Sequence, residues 1–195
     1  MKKKLISLAV VVCLLAVAVV GGTLAFFTDK AEVTNTFTAG KVDITLDEAP
    51  VDKDGQATAG DRVAKNTYKL YPGKEYDKDP TITVAADSED CYLFVNVVNG
   101  LDGHEAEGAT TIAAQMADNG WTLVDGETDV YMQANTYSAN AEVAVFEKFT
   151  IADNETATTL ATVEDVVVTA YAVQAEGFTS AQAAWDATFG TPVEP

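Results

Sequence analysis

The chain's one histidine, His104, stands in the run His104-Glu105-Ala106-Glu107-Gly108, which begins like a zinc-peptidase motif. That motif needs two histidines one helical turn apart with a glutamate beside the first. Here Gly108 occupies the place of the second histidine. One histidine with carboxylates from an acidic loop could hold a metal weakly. It does not make a catalytic zinc site with an open position, and His104 reads as a solvated loop residue. No Gly-x-Ser-x-Gly elbow occurs, so serine chemistry would have to use the same loop histidine. With 30 acidic residues, chance pairs of carboxylates are certain, and such a pair carries no information about glycoside chemistry. Asp52-Lys53-Asp54-Gly55 opens like a calcium loop, but Ala57 and Val63 stand where a glycine and a bidentate glutamate belong. A turn is expected there. The residues thus predict no catalytic group, no metal, no cofactor and no enzyme.

The N-terminus carries a different kind of information. Lys2, Lys3 and Lys4 precede an apolar run over residues 5–20, which Gly21 and Gly22 interrupt. Small residues at Thr23 and Ala25 then form a signal-peptidase site between Ala25 and Phe26. The rival reading is an uncleaved anchor, because apolar character continues through Phe27 and reaches spanning length. Cys13 lies too deep in the apolar core for a lipobox. Cleavage after Ala25 leaves 170 residues, sufficient for one domain with a real core, and nine cations against 30 carboxylates, a formal charge of −21. Such a domain repels nucleic acid and anionic membrane, and meets a membrane only through its signal peptide. It keeps one cysteine, Cys91, which excludes an intramolecular disulfide. Cys91 opens an apolar strand, so a buried thiol is expected, with an intermolecular bridge as the alternative.

The elements that follow read as strands. In residues 32–38, Val33, Asn35 and Phe37 share one face, and Gly40 lets the chain bend into a second strand with Val42, Ile44 and Leu46 inward. Residues 47–66 read as a long mobile loop, and Pro72-Gly73 as a type II turn. Residues 81–86 and 91–99 are strands; the second is apolar at nearly every position and should be central. Residues 110–117 suggest two helical turns ended by Asn119-Gly120. Residues 121–124 and 129–134 form a hairpin around Asp125-Gly126. Residues 142–151 are a strand, and 152–162 a polar surface crossing. Residues 165–174 are a second central-type strand, and 180–187 a helix capped by Ser180 or Thr179, with Ala181, Ala184 and Trp185 on its apolar face. Residues 191–195 read as a loose tail without an LPxTG-like sorting motif. Eight or more short strands without βαβ alternation predict an all-β fold, an antiparallel jelly-roll-like sandwich with one or two short helices. An immunoglobulin-like sandwich is the runner-up and lacks the Cys…Trp…Cys framework. The domains are a signal peptide at 1–25, an N-terminal strand at 26–38, a sandwich at 39–190 and the tail.

Three stretches carry a family likeness: GGTLAFFTDKAEVTNTFTAGKVDITLDE at 21–48, LYPGKEYDKDPTITVAADSEDCYLFVNVVN at 70–99 and VVVTAYAVQAEGFTSAQAAWDA at 166–187. Together they resemble the TasA/camelysin family of Gram-positive bacteria. The resemblance implies a jelly-roll domain, processing by a SipW-type signal peptidase and a structural role in extracellular, biofilm-matrix fibres. It also implies polymerisation by donor-strand complementation, with the subunit itself or a related matrix subunit as partner. Carried onto this chain, the donor is about residues 26–38, with Phe27, Val33 and Phe37 as its anchors. The same residues could instead pair within their own sheet. Some members carry a metallopeptidase label, which the residues around His104 do not support. A different class remains open, a surface module binding carbohydrate or protein through Trp121, Trp185, Tyr131 and Tyr137.

Overall fold

The computed structural model describes residues 40–108 and 111–190. The described chain is an all-β antiparallel sandwich. Strands β1 (Ile44–Asp47), β3 (Thr81–Val84) and β7 (Glu142–Ala144) form one sheet in the order β1-β3-β7. Strands β5 (Trp121–Leu123), β6 (Val130–Tyr137), β4 (Cys91–Asn99) and β9 (Val166–Gln174) form the other, in the order β5-β6-β4-β9. A short ribbon joins β2 (Glu75–Asp77) to β8 (Lys148–Thr150).

The core follows from strand alternation. On β4, Cys91, Leu93, Val95 and Val97 face the interior with Ile82, Val84, Val145, Phe146 and Ile151. Tyr92 and Phe94 point to the opposite face, where helix α3 (Ala181–Thr188) covers them with Ala184 and Trp185. Covering both faces of β4 explains its unbroken apolar sequence and its central place. Ser180 caps α3 by accepting from the Ala183 N–H at 3.2 Å, as its position ahead of the apolar face predicts. Cys91 is fully buried, and burial pushes its thiol up to about 11. Among the described residues no helix is long and apolar enough to cross a membrane.

Five expectations are corrected. Besides α3 and α1 (Ile112–Asp118) there is a third short helix, α2 (Ala157–Leu160), closed by a capping box between Thr156 and Thr159 inside the polar crossing. The strand expected over 142–151 is two strands in different sheets, because Val145 and Phe146 turn into the core between them. Residues 47–66 are tied down rather than mobile. Arg62 clamps Asp47 and Asp79, backbone bonds join Glu48 to Val63 at 2.8 Å, and Asp52 caps a turn through the Asp54 and Gln56 N–H groups. His104 is not a solvated loop residue, since its ring bonds Glu155. Finally, among the described residues β9 stands at the edge of its sheet and not at its centre.

Candidate functional site

That edge defines the site. Among the described residues β9 pairs with β4 alone, residue for residue from Val166 opposite Asn99 to Gln174 opposite Cys91. Among the described residues its other edge pairs with no strand. Exposed edges are ordinarily blunted by charges, prolines or bulges. VVVTAYAVQ contains none of the first two and pairs with β4 without a register shift.

A second unpaired segment lies across from it. In residues 64–71, Asn66, Tyr68 and Leu70 are half-buried while Lys65, Thr67, Lys69 and Tyr71 are exposed, an alternation of period two. Among the described residues the backbone N–H groups of Lys65, Thr67, Tyr68, Lys69 and Leu70 meet no acceptor. The segment is held from its ends and from below. Val63 bonds Glu48; Asn66 donates its N–H to the Glu48 carboxylate and its side-chain amide to the Ala49 carbonyl; the Tyr76 hydroxyl receives from the Tyr71 N–H at 2.7 Å and donates to the Lys69 carbonyl at 2.8 Å. Gly73, at φ 67°, turns the chain after Pro72 as a type II turn requires.

Between this segment, the end of β1 and the first residues of β9 runs a groove of about 940 Å³, with Leu46, Tyr68, Leu101, Phe149, Leu160 and Val168 among its apolar lining. Phe149 stacks on Tyr76 at 5.0 Å and meets the edge of Tyr68 at 5.3 Å, which makes the floor rigid. The Tyr68 hydroxyl donates to the Asp77 carbonyl, and burial raises its pKa well above the ordinary phenol value. At one end the buried Glu48 carboxylate holds Lys78 at 2.7 Å. The groove is therefore an apolar trough with strand-like backbone on two sides, suited to receive an extended chain.

The histidine region does other work. His104 Nδ1 lies 3.0 Å from Glu155 Oε1. Glu105 turns away from it, accepting from the Ile112 N–H and the Asn99 amide at 2.9 Å each. Among the described residues no group of three or more His, Cys, Asp and Glu side chains could hold a metal ion. The donor set around His104 does not fit a peptidase zinc, and no step is derived through one. The Thr159 hydroxyl, and after it His104, hold the Glu155 carboxyl below its ordinary value of 4.5. A carboxylate stabilised in this sense contributes stability above pH 4.5 that is lost as pH falls through the folded-state value. Glu155→Gln is expected to lower stability modestly at neutral pH, to leave it little changed below the folded-state value, and so to flatten the acid limb in urea titrations.

The expected cleavage residues Ala25 and Phe26 and the anchors Phe27, Val33 and Phe37 lie outside the described residues. The aromatic face proposed for a binding module is not assembled, because Trp121 and Trp185 are buried at 3% and 6% exposure. Trp121 donates to the Ala144 carbonyl inside the core, and the Tyr137 hydroxyl is bonded to Gln133. The groove itself escaped the sequence reading. The alternation of Asn66, Tyr68 and Leu70 was the signal, masked by the loop-like composition before it.

The geometry defines a β-sandwich with one unpaired edge over an apolar trough, and no assembled catalytic group among the described residues. Residues 1–73 match the model of the family described as Camelysin metallo-endopeptidase, and this bears out the resemblance to the TasA/camelysin family. The match ends at Gly73, where the groove wall turns into the Pro-Gly corner. No curated protein and no solved structure matches the chain.

Proposed function

We propose that the chain is a secreted structural subunit of extracellular matrix fibres. It polymerises head to tail, with residues 26–38 of one subunit entering the groove beside β9 of the next. The observation that carries this reading is an apolar groove with residues 64–71 on one side and Val166, Val167 and Val168 of β9 on the other, both without a strand partner on that side among the described residues. An inserted strand satisfies both while Phe27, Val33 and Phe37 fill the trough. Each buried aromatic contributes roughly 1.5–3 kcal/mol.

Gly40 lies against Gln174 and Glu89, at the far end of β9 from the groove-lining Val166, Val167 and Val168. The two ends of β9 are roughly 25 Å apart at the rise of a strand. Residues 26–38 entering the groove of the next subunit make a heterologous contact, which propagates as a filament. In this reading a SipW-type signal peptidase frees Phe26, the partner is the same chain or a related matrix subunit, and no residue has a catalytic role. The test is removal of residues 26–38 followed by sedimentation and electron microscopy.

A further inference from the structure

The groove wall carries a charge pattern that the trough itself does not explain. The described chain has eight cations in a strongly acidic protein. Six of them meet carboxylates: Lys41 with Asp43 and Asp87, Lys53 and Lys74 with Asp54, Arg62 with Asp47 and Asp79, Lys78 with Glu48, and Lys148 with Glu75. Among the described residues Lys65 and Lys69 meet none. Lys69 only lies over the Tyr71 ring at 5.3 Å. Both line the groove, and both stand on the exposed face of the unpaired segment, four residues apart. In a chain with 30 carboxylates, these two cations put positive charge on this wall of the trough, while Glu164 and Asp165 stand on the β9 side.

We infer that Lys65 and Lys69 select and steer the incoming strand by its carboxylate Glu32. This rests on the donor-strand reading. If Phe27, Val33 and Phe37 face the trough, strand alternation puts Thr28, Lys30, Glu32 and Thr34 on the solvent side. Glu32 is the only carboxylate on that side between Phe26 and Thr38. It is thereby on the face that adjoins Lys65, Thr67, Lys69 and Tyr71. Directly opposed side chains on paired strands lie about 5 Å apart and diagonal ones about 7–8 Å, so long lysine side chains reach a carboxylate from either position. A one-residue slip would turn Phe27, Val33 and Phe37 out of the trough and Glu32 away from the lysines, so the anchors and the pair call for the same register. Between two subunits of the same negative sign, these two lysines give the approaching N-terminus a local attraction that the rest of the surface denies it.

The test is a charge swap in the chain beginning at Phe26, followed by turbidity and electron microscopy across a salt series. Glu32→Lys is expected to slow assembly about two- to fivefold at low salt, the range of an exposed ion pair. Combining it with Lys65→Glu and Lys69→Glu in the same chain is expected to restore the rate. Assembly of Glu32→Lys at the unaltered rate and salt dependence overturns the inference, and so does a slowed variant that the swapped lysines fail to rescue. Neither result touches the donor-strand reading, which stands or falls on whether a chain lacking residues 26–38 still assembles.

Discussion

Removing residues 26–38 is expected to leave folded monomers that form no filaments at concentrations where the chain beginning at Phe26 polymerises. The sandwich keeps its core without that segment, because Cys91, Leu93, Val95, Ile82, Phe146 and Phe149 pack against one another within residues 40–190. What the deletion removes is the strand that would cover the outer edge of β9. Each interface in the intact chain would bury several aromatic and branched side chains together with a ladder of backbone bonds. Three anchors at roughly 1.5–3 kcal/mol each exceed what a weak surface contact supplies. Loss of all of them should reduce assembly below detection by sedimentation. Undiminished filaments from the deleted chain would remove the donor from the mechanism.

Lys78→Met is expected to destabilise the domain by about 3 kcal/mol in urea unfolding of the donor-deleted monomer, within the range for breaking a buried ion pair. Glu48 is 4% exposed and supports three things at once: Lys78 through Oε2, the Asn66 N–H through Oε1, and Val63 through its backbone. Methionine matches the lysine stem but leaves that carboxylate buried beside an apolar side chain. Adding Glu48→Gln removes the stranded charge and should recover part of the loss. A double variant less stable than the single would contradict this assignment. Because Glu48 and Asn66 anchor residues 64–71, the same change should loosen one wall of the groove and weaken assembly beyond its effect on stability.

Much of the sandwich was legible because its strands alternate or are apolar on both faces. β4 declared its central place through CYLFVNVVN, and α3 through Ser180, Ala184 and Trp185. β9 did not, and the reason bears on function. Its sequence is that of a central strand, yet among the described residues it has one neighbour. Local pattern reports how a residue is buried, not how many strands flank it, so an apolar strand at an edge reads as central. The 142–151 error is of another kind. Apolar residues ran through the crossing between sheets, so periodicity gave no break at Val145 and Phe146. The ties that hold 47–66 depend on contacts distant in sequence, such as Arg62 with Asp79, which no local pattern announces. His104 likewise gained its partner from 51 residues away.

The most direct measurement is amide hydrogen exchange on filaments against the donor-deleted monomer. The account predicts that the alternate backbone amides of residues 65–70 on the groove side, together with the outward amides of β9, exchange readily in the monomer and become protected in the filament. Exchange at these positions that is unchanged on polymerisation would contradict it, because no strand would then have entered the groove.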